Sequence, residues 1–462
     1  MSVPTRPLEG LRVLDFSHIW AGPICARILG DLGADVIKIE GPGRYDGMRN
    51  LFLMANDTDD DYWNRSGFFQ NRNQNKRGIA IDLTTEEGRD LIRGLVPHAD
   101  VVIENFTPRV MPAFGLGYDR LAELNPGVVM ISMSGYGASG PYSRFGAIGL
   151  SLDGSTGLSA SNGHPGDRPE KSGSAFLDPF AGVSGAAAVM AALLERERTG
   201  RGQFIDLSQH EGGTNFVGGY VVEHGRSGRE PERRGSRSDR HAPQGIYPCE
   251  GDEQWIYLSV RDEPGWRALC EELGAPALAE EAGFGSPAKR LRRHDELDAR
   301  LAEHTQQRDK HELMAALQSR GVIAAALLDG AEVLNDPHLA ARDTFESIDV
   351  GTPPRPYPSQ RALPARFDEF EPRRAGPAPG LGQHNDEVLG ELLDLDESQL
   401  ARLEADGVIG DEPRFAIPVE EQRNIIRYPL AMWVGLGSVR WLAPDGSHGL
   451  APGEPQPEGT ES

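Results

Sequence analysis

Cysteine is nearly absent from this chain, with Cys25, Cys249 and Cys270 the only three among 462 residues. They are too few and too scattered for a disulfide framework or a zinc site, so no metal is expected. Lysine is almost as scarce: Lys38, Lys76, Lys171, Lys289 and Lys310 stand against 42 arginines. Positive charge as a whole falls short, since 70 acids face 47 bases for a formal charge of −23. Phosphate-backbone binding runs on an excess of Lys and Arg, which excludes a dedicated nucleic-acid binder. No apolar run approaches the roughly 18 residues of a membrane span, and the opening MSVPTRPLEG has no basic–apolar–small leader pattern. The expectation is a cytoplasmic protein with no membrane partner. Familiar catalytic signatures are missing as well. There is no G-x-x-x-x-G-K-[ST], no H-E-x-x-H and no G-x-S-x-G, and His210-Glu211 lacks a second histidine in helical register.

What the chain does have is length and alternation. Its 462 residues leave room for two domains, and 38% apolar with 25% charged residues supplies packed cores under a wetted surface. Leu11–Phe16, Val36–Ile39, Ile79–Ile81, Val101–Ile103 and Val128–Ile131 read as strands. Between them, Ile24, Ile28, Leu29 and Leu32 recur at helical spacing up to Gly33, and Glu86–Leu95 is helical behind Thr84 or Thr85 as N-cap. That order predicts βαβ units and a mostly parallel sheet, hence an α/β fold. An Ala-rich helix runs from Pro179 to Arg198 and stops at Gly200, followed by a strand-like Phe204–Leu207.

Pro42–Phe69 is long for a connection, and its Asp57, Asp59, Asp60 and Asp61 lack the Gly and distal Glu of a calcium loop, so it reads as solvated. Arg226, Arg229, Arg233, Arg234, Arg237 and Arg240 lie among Gly, Ser and Pro, marking a linker that is either solvated or an anion funnel. The expected division is a large domain over 1–222, the Arg-rich linker over 223–244 and a small domain over 245–320. The large domain resumes over 321–411, with an extension over 412–462 whose Pro/Gly-rich end is expected to be disordered.

Gly135-Tyr136-Gly137-Ala138-Ser139-Gly140 matches G-x-G-x-x-G, but Pro141 and a polar stretch follow where a dinucleotide site needs a helix, so it reads as a loop. Asp178 precedes Pro179 at the mouth of the Ala-rich helix, which on local grounds makes it an N-cap with proline at the first helical position. A carboxylate held there, at the positive end of the helix dipole, is also suited to nucleophilic work. Asn75-Lys76-Arg77 precedes the third strand, and Glu104-Asn105-Phe106 follows the fourth with Arg109 close behind. Strand ends are where open α/β sheets bind ligands. Lys38 lies inside a strand, where a cation needs an edge or a partner.

Taken together these runs resemble one family. Leu11-Arg12-Val13-Leu14-Asp15-Phe16 through Ala21-Gly22-Pro23, then Leu32-Gly33-Ala34-Asp35-Val36-Ile37-Lys38-Ile39-Glu40, is similar to the opening of the family III CoA-transferases, which include formyl-CoA transferase and α-methylacyl-CoA racemase. Asn75-Lys76-Arg77, Glu104-Asn105-Phe106, Ser134-Gly135-Tyr136-Gly137, Thr199-Gly200-Arg201-Gly202-Gln203, His241-Ala242-Pro243 and Leu381-Gly382-Gln383-His384 follow in the family's order.

The resemblance implies a large Rossmann-like domain with its parallel sheet built from both chain ends, a smaller α/β domain, and an interlocked homodimer. It places the catalytic aspartate on Asp178, passing CoA from an acyl-CoA donor to a carboxylic acid acceptor through an aspartyl anhydride and an aspartyl-CoA thioester. Coenzyme A thioesters would be substrates, with no permanently bound cofactor. CoA contacts carry over to Ile19, Trp20, Ala21, Asn75, Lys76, Asn105 and Phe106, and Arg109 is added for phosphate because arginine forks suit it. Formyl-CoA transferase has a glutamine in place of Trp20, which argues against formate and oxalate as substrates. It also has an arginine where this chain has Gly41, so part of the nucleotide grip must come from elsewhere. The racemase branch has a histidine where Ile148 stands, and an aliphatic side chain cannot take a proton. Racemase or epimerase, an intramolecular CoA-transferring isomerase, and a non-catalytic CoA-binding protein are the alternatives.

Overall fold

Stiff β-branched residues gather where the sheet forms. The structure, a computed structural model, describes residues 6–51, 61–171, 173–230, 232–348, 357–360, 363–374 and 376–414. Six strands, β1 (Arg12–Asp15), β2 (Asp35–Glu40), β3 (Lys76–Ala80), β4 (Val101–Glu104), β5 (Val129–Ser132) and β6 (Phe204–Asp206), pair in parallel in the order β3-β2-β1-β4-β5-β6. Val13, Ile37, Val102, Ile103 and Ile131 are buried, as expected of a parallel sheet covered on both faces. The helices that follow in chain order are α1 (Ala21–Asp31), α2 (Gly67–Arg72), α3 (Glu86–Leu95), α4 (Val110–Ala113), α5 (Tyr118–Leu124) and α6 (Gly149–Ser155). Thr85 caps α3, its hydroxyl accepting from the Gly88 N–H at 3.0 Å.

The chain divides into two units. The first takes Met1–Thr156, Gly173–Phe216 and Leu334–Ser462, and the second takes Gly157–Ser172 and Val217–Val333. In the first, α1 and the long helix Leu177–Thr199 share a core with one sheet face. Contrary to the expectation that no apolar run approaches a membrane span, that helix is long and apolar enough by composition to cross one, and half of its most apolar stretch is buried as in a core helix. Its glycines bring it onto α1: a Cβ at Gly182 would stand 2.8 Å from the Ala21 carbonyl oxygen. On the other face, Val388, Leu389, Leu400 and Leu403 from the C-terminal helices Asn385–Leu393 and Glu397–Ala405 pack with Leu14, Ile37 and Ile79. All six parallel strands come from residues 12–206, so among the described residues the C-terminal return adds helices and not the expected part of that sheet; it covers the edge strand β3. The Gly78 N–H donates to His384 Nδ1 at 3.0 Å and the Ala80 N–H to Asn385 Oδ1 at 2.9 Å, which accounts for the Leu381–His384 motif in physical terms.

The second unit has an antiparallel sheet of β7 (Gln244–Pro248), β8 (Trp255–Ser259) and β9 (Ile323–Ala326) over a core that includes Trp266, Leu269, Leu297 and Leu313. Here the structure departs from the expected boundaries. β9, read from sequence as the return to the large domain, pairs with β8, because a short apolar run does not reveal which sheet it joins. Residues 157–172 also belong to this unit, and the helix Gly218–Ser227 takes up the start of the linker.

The anion-funnel reading of the linker finds most of its charge already engaged. Arg237 pairs with Asp295 at 2.6 Å and Asp298 at 2.5 Å, Arg229 with Glu223 at 2.8 Å and Arg234 with Asp239 at 2.8 Å. Arg233 donates to the Ala160 and Asp167 carbonyls. Gly135–Gly140 is a loop with no helix at its third glycine. Asp57, Asp59, Asp60 and the extension beyond Arg414 lie outside the described residues.

The Lys38 ammonium, buried within β2, has the partners its position demands: it donates to Asp46 Oδ2 at 3.2 Å and to the Ser17 carbonyl. Glu40 pairs with Arg49 at 2.6 Å and Asp15 with Lys76 at 2.8 Å. Burial alone would raise the carboxyls of Asp15, Glu40 and Asp46, but the Lys76, Arg49 and Lys38 charges beside them hold all three below their ordinary range. Their contribution is present at neutral pH and is lost as the pH falls below the ordinary carboxylate range. Lys38→Met strands Asp46 as a buried unpaired charge and is expected to cost about 3–5 kcal/mol in urea unfolding at neutral pH. The deficit should narrow in acid, as Asp46 is protonated.

Candidate active site

In the order β3-β2-β1-β4-β5-β6 the chain reverses direction across the sheet between β1 and β4, and ligands of open α/β sheets bind outside the carboxyl ends of the strands at that point. A cavity of about 590 Å³ lies there. Phe16 after β1, Ile39 of β2, Ile81 after β3 and Phe106 after β4 contribute apolar walls, with Leu83 and Phe114. Arg44, Arg109 and Arg414 also line it. Arg44 and Arg109 are exposed and have no carboxylate partner among the described residues. Arg414 pairs with Asp82 at 2.7 Å, and its backbone N–H donates to the Pro42 carbonyl at 2.8 Å. An apolar hollow with guanidinium groups in its wall suits a flat apolar group carrying anions.

The loop from β1 to α1 is fixed in an unusual shape. Ile19 has φ +72°, a conformation that costs a β-branched residue and persists only where the surroundings impose it. They do so here: the Ile19 N–H donates to Asp46 Oδ1 at 3.1 Å, and Asp46 is anchored by Lys38. Asn105 grips the residue before. Its Oδ1 accepts from the His18 N–H at 2.8 Å and its Nδ2 donates to the His18 carbonyl at 2.7 Å. Phe106 meets the His18 ring edge-on at 5.3 Å, and its own N–H donates to Glu104 Oε2 at 2.7 Å. Trp20 stands at the N-cap of α1 with the Arg72 guanidinium 4.1 Å from its ring, and Ala21 is buried in the first turn.

Asp178 lies in the first turn of Leu177–Thr199, but not as the cap. The helix begins at Leu177 with Phe176 as N-cap, so Asp178 is its second residue and caps nothing. The prolines tolerated throughout a first turn do not fix its register, which is why Pro179 misplaced the start. Freed from capping, the carboxylate has no hydrogen-bond or ion-pair partner among the described residues, and it is 9% exposed. Burial pushes its pKa up to about 6, the neighbouring Asp153 adds to the rise, and Arg72 opposes it. Gly149, the first residue of α6, is pressed against it, so that a Cβ there would overlap Asp178 Oδ2. Ile148, where a histidine would be needed for proton exchange, caps α6 and is 70% exposed. A buried carboxylate without a hydrogen-bond donor has the chemistry of a nucleophile or a base.

The structure thus gathers His18, Phe106 and Arg109 at the cavity and Trp20 and Ala21 near the head of the Asp178 helix, with Ile19 and Asn105 shaping the loop between. Two expected contacts are turned elsewhere. Lys76 Nζ donates to Asp15 at 2.8 Å, the Pro23 carbonyl at 3.0 Å and Asn73 Oδ1 at 2.9 Å, which uses all three protons. Asn75, at φ +62°, donates to Asp31 at 2.7 Å. Both brace α1 against β3 because the buried Asp15 and Asp31 carboxylates need partners. Sequence reasoning missed His18, Arg44, Arg72, Gly149 and Arg414. Only His18 and Arg44 carried a signal, by following strands.

A raised pKa in the folded state means that this group increasingly disfavours folding as the pH rises above its ordinary value of 3.8, the cost levelling off at roughly 3 kcal/mol once the pH exceeds about 6. Asp178→Asn, which removes the charge, should abolish activity and yet unfold at higher urea than wild type at pH above neutrality. Gly149→Ala should fold but displace the carboxylate, lowering kcat on the order of 10²-fold in steady-state assays.

The match to the family model for CoA-transferase family III covers residues 8–385. The chain is 34% identical over 414 residues to the succinyl-CoA–D-citramalate CoA-transferase of Chloroflexus aurantiacus, covering 88% of this chain and 99% of that one. It is 31% identical over 400 residues to the succinate–glutarate CoA-transferase of Agrobacterium fabrum, covering 86% and 98%. A crystal structure of a CaiB/BaiF family protein from Brucella suis superposes with a TM-score of 0.77 at 31% identity, over 84% of this chain and all of the other. With an α/β fold, a six-stranded parallel sheet and these relatives, the chain belongs to the family III CoA-transferases.

Proposed function

We propose that this protein transfers coenzyme A from an acyl-CoA donor to a carboxylic acid acceptor, with Asp178 as the nucleophile. The observation that carries this is the Asp178 carboxylate itself: buried, unpaired among the described residues and seated in a helix's first turn against a glycine. An Asp178 oxygen attacks the donor's thioester carbonyl, the C–S bond breaks, and CoA leaves as thiolate from an aspartyl acyl anhydride. The thiolate then attacks the Asp178 carbonyl carbon. The donor acid departs as carboxylate, leaving an aspartyl-CoA thioester. An acceptor carboxylate runs the two steps in reverse and takes the CoA. Two small barriers replace one large one.

No step moves a proton, so an aliphatic Ile148 costs transfer nothing, whereas racemisation would need a base there. The cavity beside the sheet would take the adenine and phosphates of CoA, with Arg44, Arg109 and Arg414 in place of the arginine absent at Gly41. The named acids of the two curated relatives, citramalate, succinate and glutarate, all carry two carboxylates, which supports a dicarboxylate on at least one side. Exposed Tyr142, Phe145, Phe176, Val183, Leu194 and Phe216 support an interlocked homodimer that covers them. Light scattering should return the mass of two chains, and a monomer would contradict the dimer.

Intact-protein mass spectrometry after incubation with acyl-CoAs should find a CoA-sized adduct on the wild type that vanishes in Asp178→Ala. An adduct that survives the substitution, or α-hydrogen exchange without any adduct, would overturn the reading. Because Asp178 must be ionised to attack, kcat/KM should fall tenfold per pH unit in acid, with the limb near the group's pKa of about 6.

A further inference from the structure

Arg72 ends α2 with 3% of its surface exposed. Other arginines buried to this degree have a carboxylate: Arg49 has Glu40 at 2.6 Å, and Arg27 has Asp31 at 3.9 Å. Arg72 has none within ion-pair distance among the described residues. Its guanidinium lies 4.1 Å from the Trp20 ring and 4.3 Å from the Phe68 ring, and Nη1 donates to the Phe68 carbonyl at 3.0 Å. Nε–H is buried without an acceptor, and none of the described residues accepts from Nη2. That leaves the edge of the fork on which carboxylates bind in two parallel hydrogen bonds. Burying a cation without a partner is costly, and the cost is relieved when an anion arrives.

The position of that edge matters. Trp20, which packs on Arg72, immediately precedes Ala21, and the Ala21 carbonyl abuts Gly182, one turn along the helix from Asp178. Arg72 and Asp178 therefore stand at the joined heads of α1 and Leu177–Thr199. Burial pushes the Arg72 pKa down to about 10 while the Asp46 and Asp178 charges resist, so the guanidinium stays charged and senses Asp178 without contacting it.

Building on the transferase reading, we infer that Arg72 receives the far carboxylate of a dicarboxylic acyl group whose near carboxyl reacts at Asp178. It is the residue by which this enzyme selects dicarboxylates over monocarboxylates. A methyl in place of the far carboxylate leaves the buried fork unpaired, and sites built for a polar partner reject analogues that lack it.

The test compares kcat/KM for succinate with its methyl isostere butyrate, and glutarate with valerate, using full-length protein and one fixed acyl-CoA donor. Wild type should favour each diacid by on the order of 10²–10³-fold. Arg72→Met should bring both ratios to within roughly tenfold of one by the same reasoning. Arg72→Lys, which keeps the charge and loses the fork, should fall between. A wild-type ratio near one would overturn the inference without any variant, and so would an Arg72→Met protein in which diacids and monoacids decline alike. Exchange of monoacids with the Asp178 adduct intact but no diacid preference would sink this inference alone. Absence of both exchange and adduct with every acid would sink the transferase reading beneath it.

Discussion

One ion pair, Lys38 with Asp46, sets the terms for the rest of the first unit. A lysine inside a buried parallel strand is tolerable only if its ammonium is fully engaged, and here it draws in both the Ser17 carbonyl and the Asp46 carboxylate. Those two groups belong to different loops, one following β1 and the other following β2. Tying them to a single buried charge joins the loops rigidly to the sheet. Asp46 then holds the Ile19 N–H, which sustains a left-handed isoleucine and aims His18 to one side and Trp20 to the other. The cavity wall and the head of α1 are both consequences of that anchoring.

The site is built from what the scaffold withholds. Surrounding carboxylates at Asp15, Glu40 and Asp46 are all compensated and sit below their ordinary pKa range, whereas Asp178 is left without donors and sits above it. Arg72 differs from the other cations: Arg49 and Lys76 are spent on internal partners, while the buried Arg72 Nε–H has none. Asp178 and Arg72 are both costly to the fold as buried charges without a partner, and the proposed substrate would bring each the group it lacks.

Much of the architecture was legible because periodicity reports it. Strands at Val36–Ile39 and Val101–Ile103 and the Thr85-capped helix fell within a residue or two of their observed bounds. The return of the chain was legible through Leu381–His384, although its purpose, covering the edge strand, was not. Domain membership of β9 was hidden, since four apolar residues do not name their partner strand. Among site residues, Asp178 was recoverable only through the family resemblance, because local chemistry reads it as a cap. Lys76 and Asn75 carried motif signals, yet in the structure they serve α1, a case where burial competes with ligand contact for the same polar group. Arg72 left no mark in the sequence, lying in a polar run beside Asn71 and Asn73; only its burial and its unused N–H set it apart.

The central claim is that the Asp178 carboxylate exchanges an oxygen with the substrate acid during each transfer. The most direct measurement is therefore turnover with an acceptor acid carrying heavy oxygen in its carboxylate, followed by peptide mass spectrometry of the protein. If the acceptor forms an anhydride on Asp178 and CoA thiolate then attacks the acceptor carbonyl, one labelled oxygen stays in the Asp178 side chain. The account predicts a one-oxygen isotope shift confined to that residue after a single turnover, growing to two oxygens as turnovers accumulate. Steady formation of the new CoA thioester with Asp178 unlabelled would contradict it.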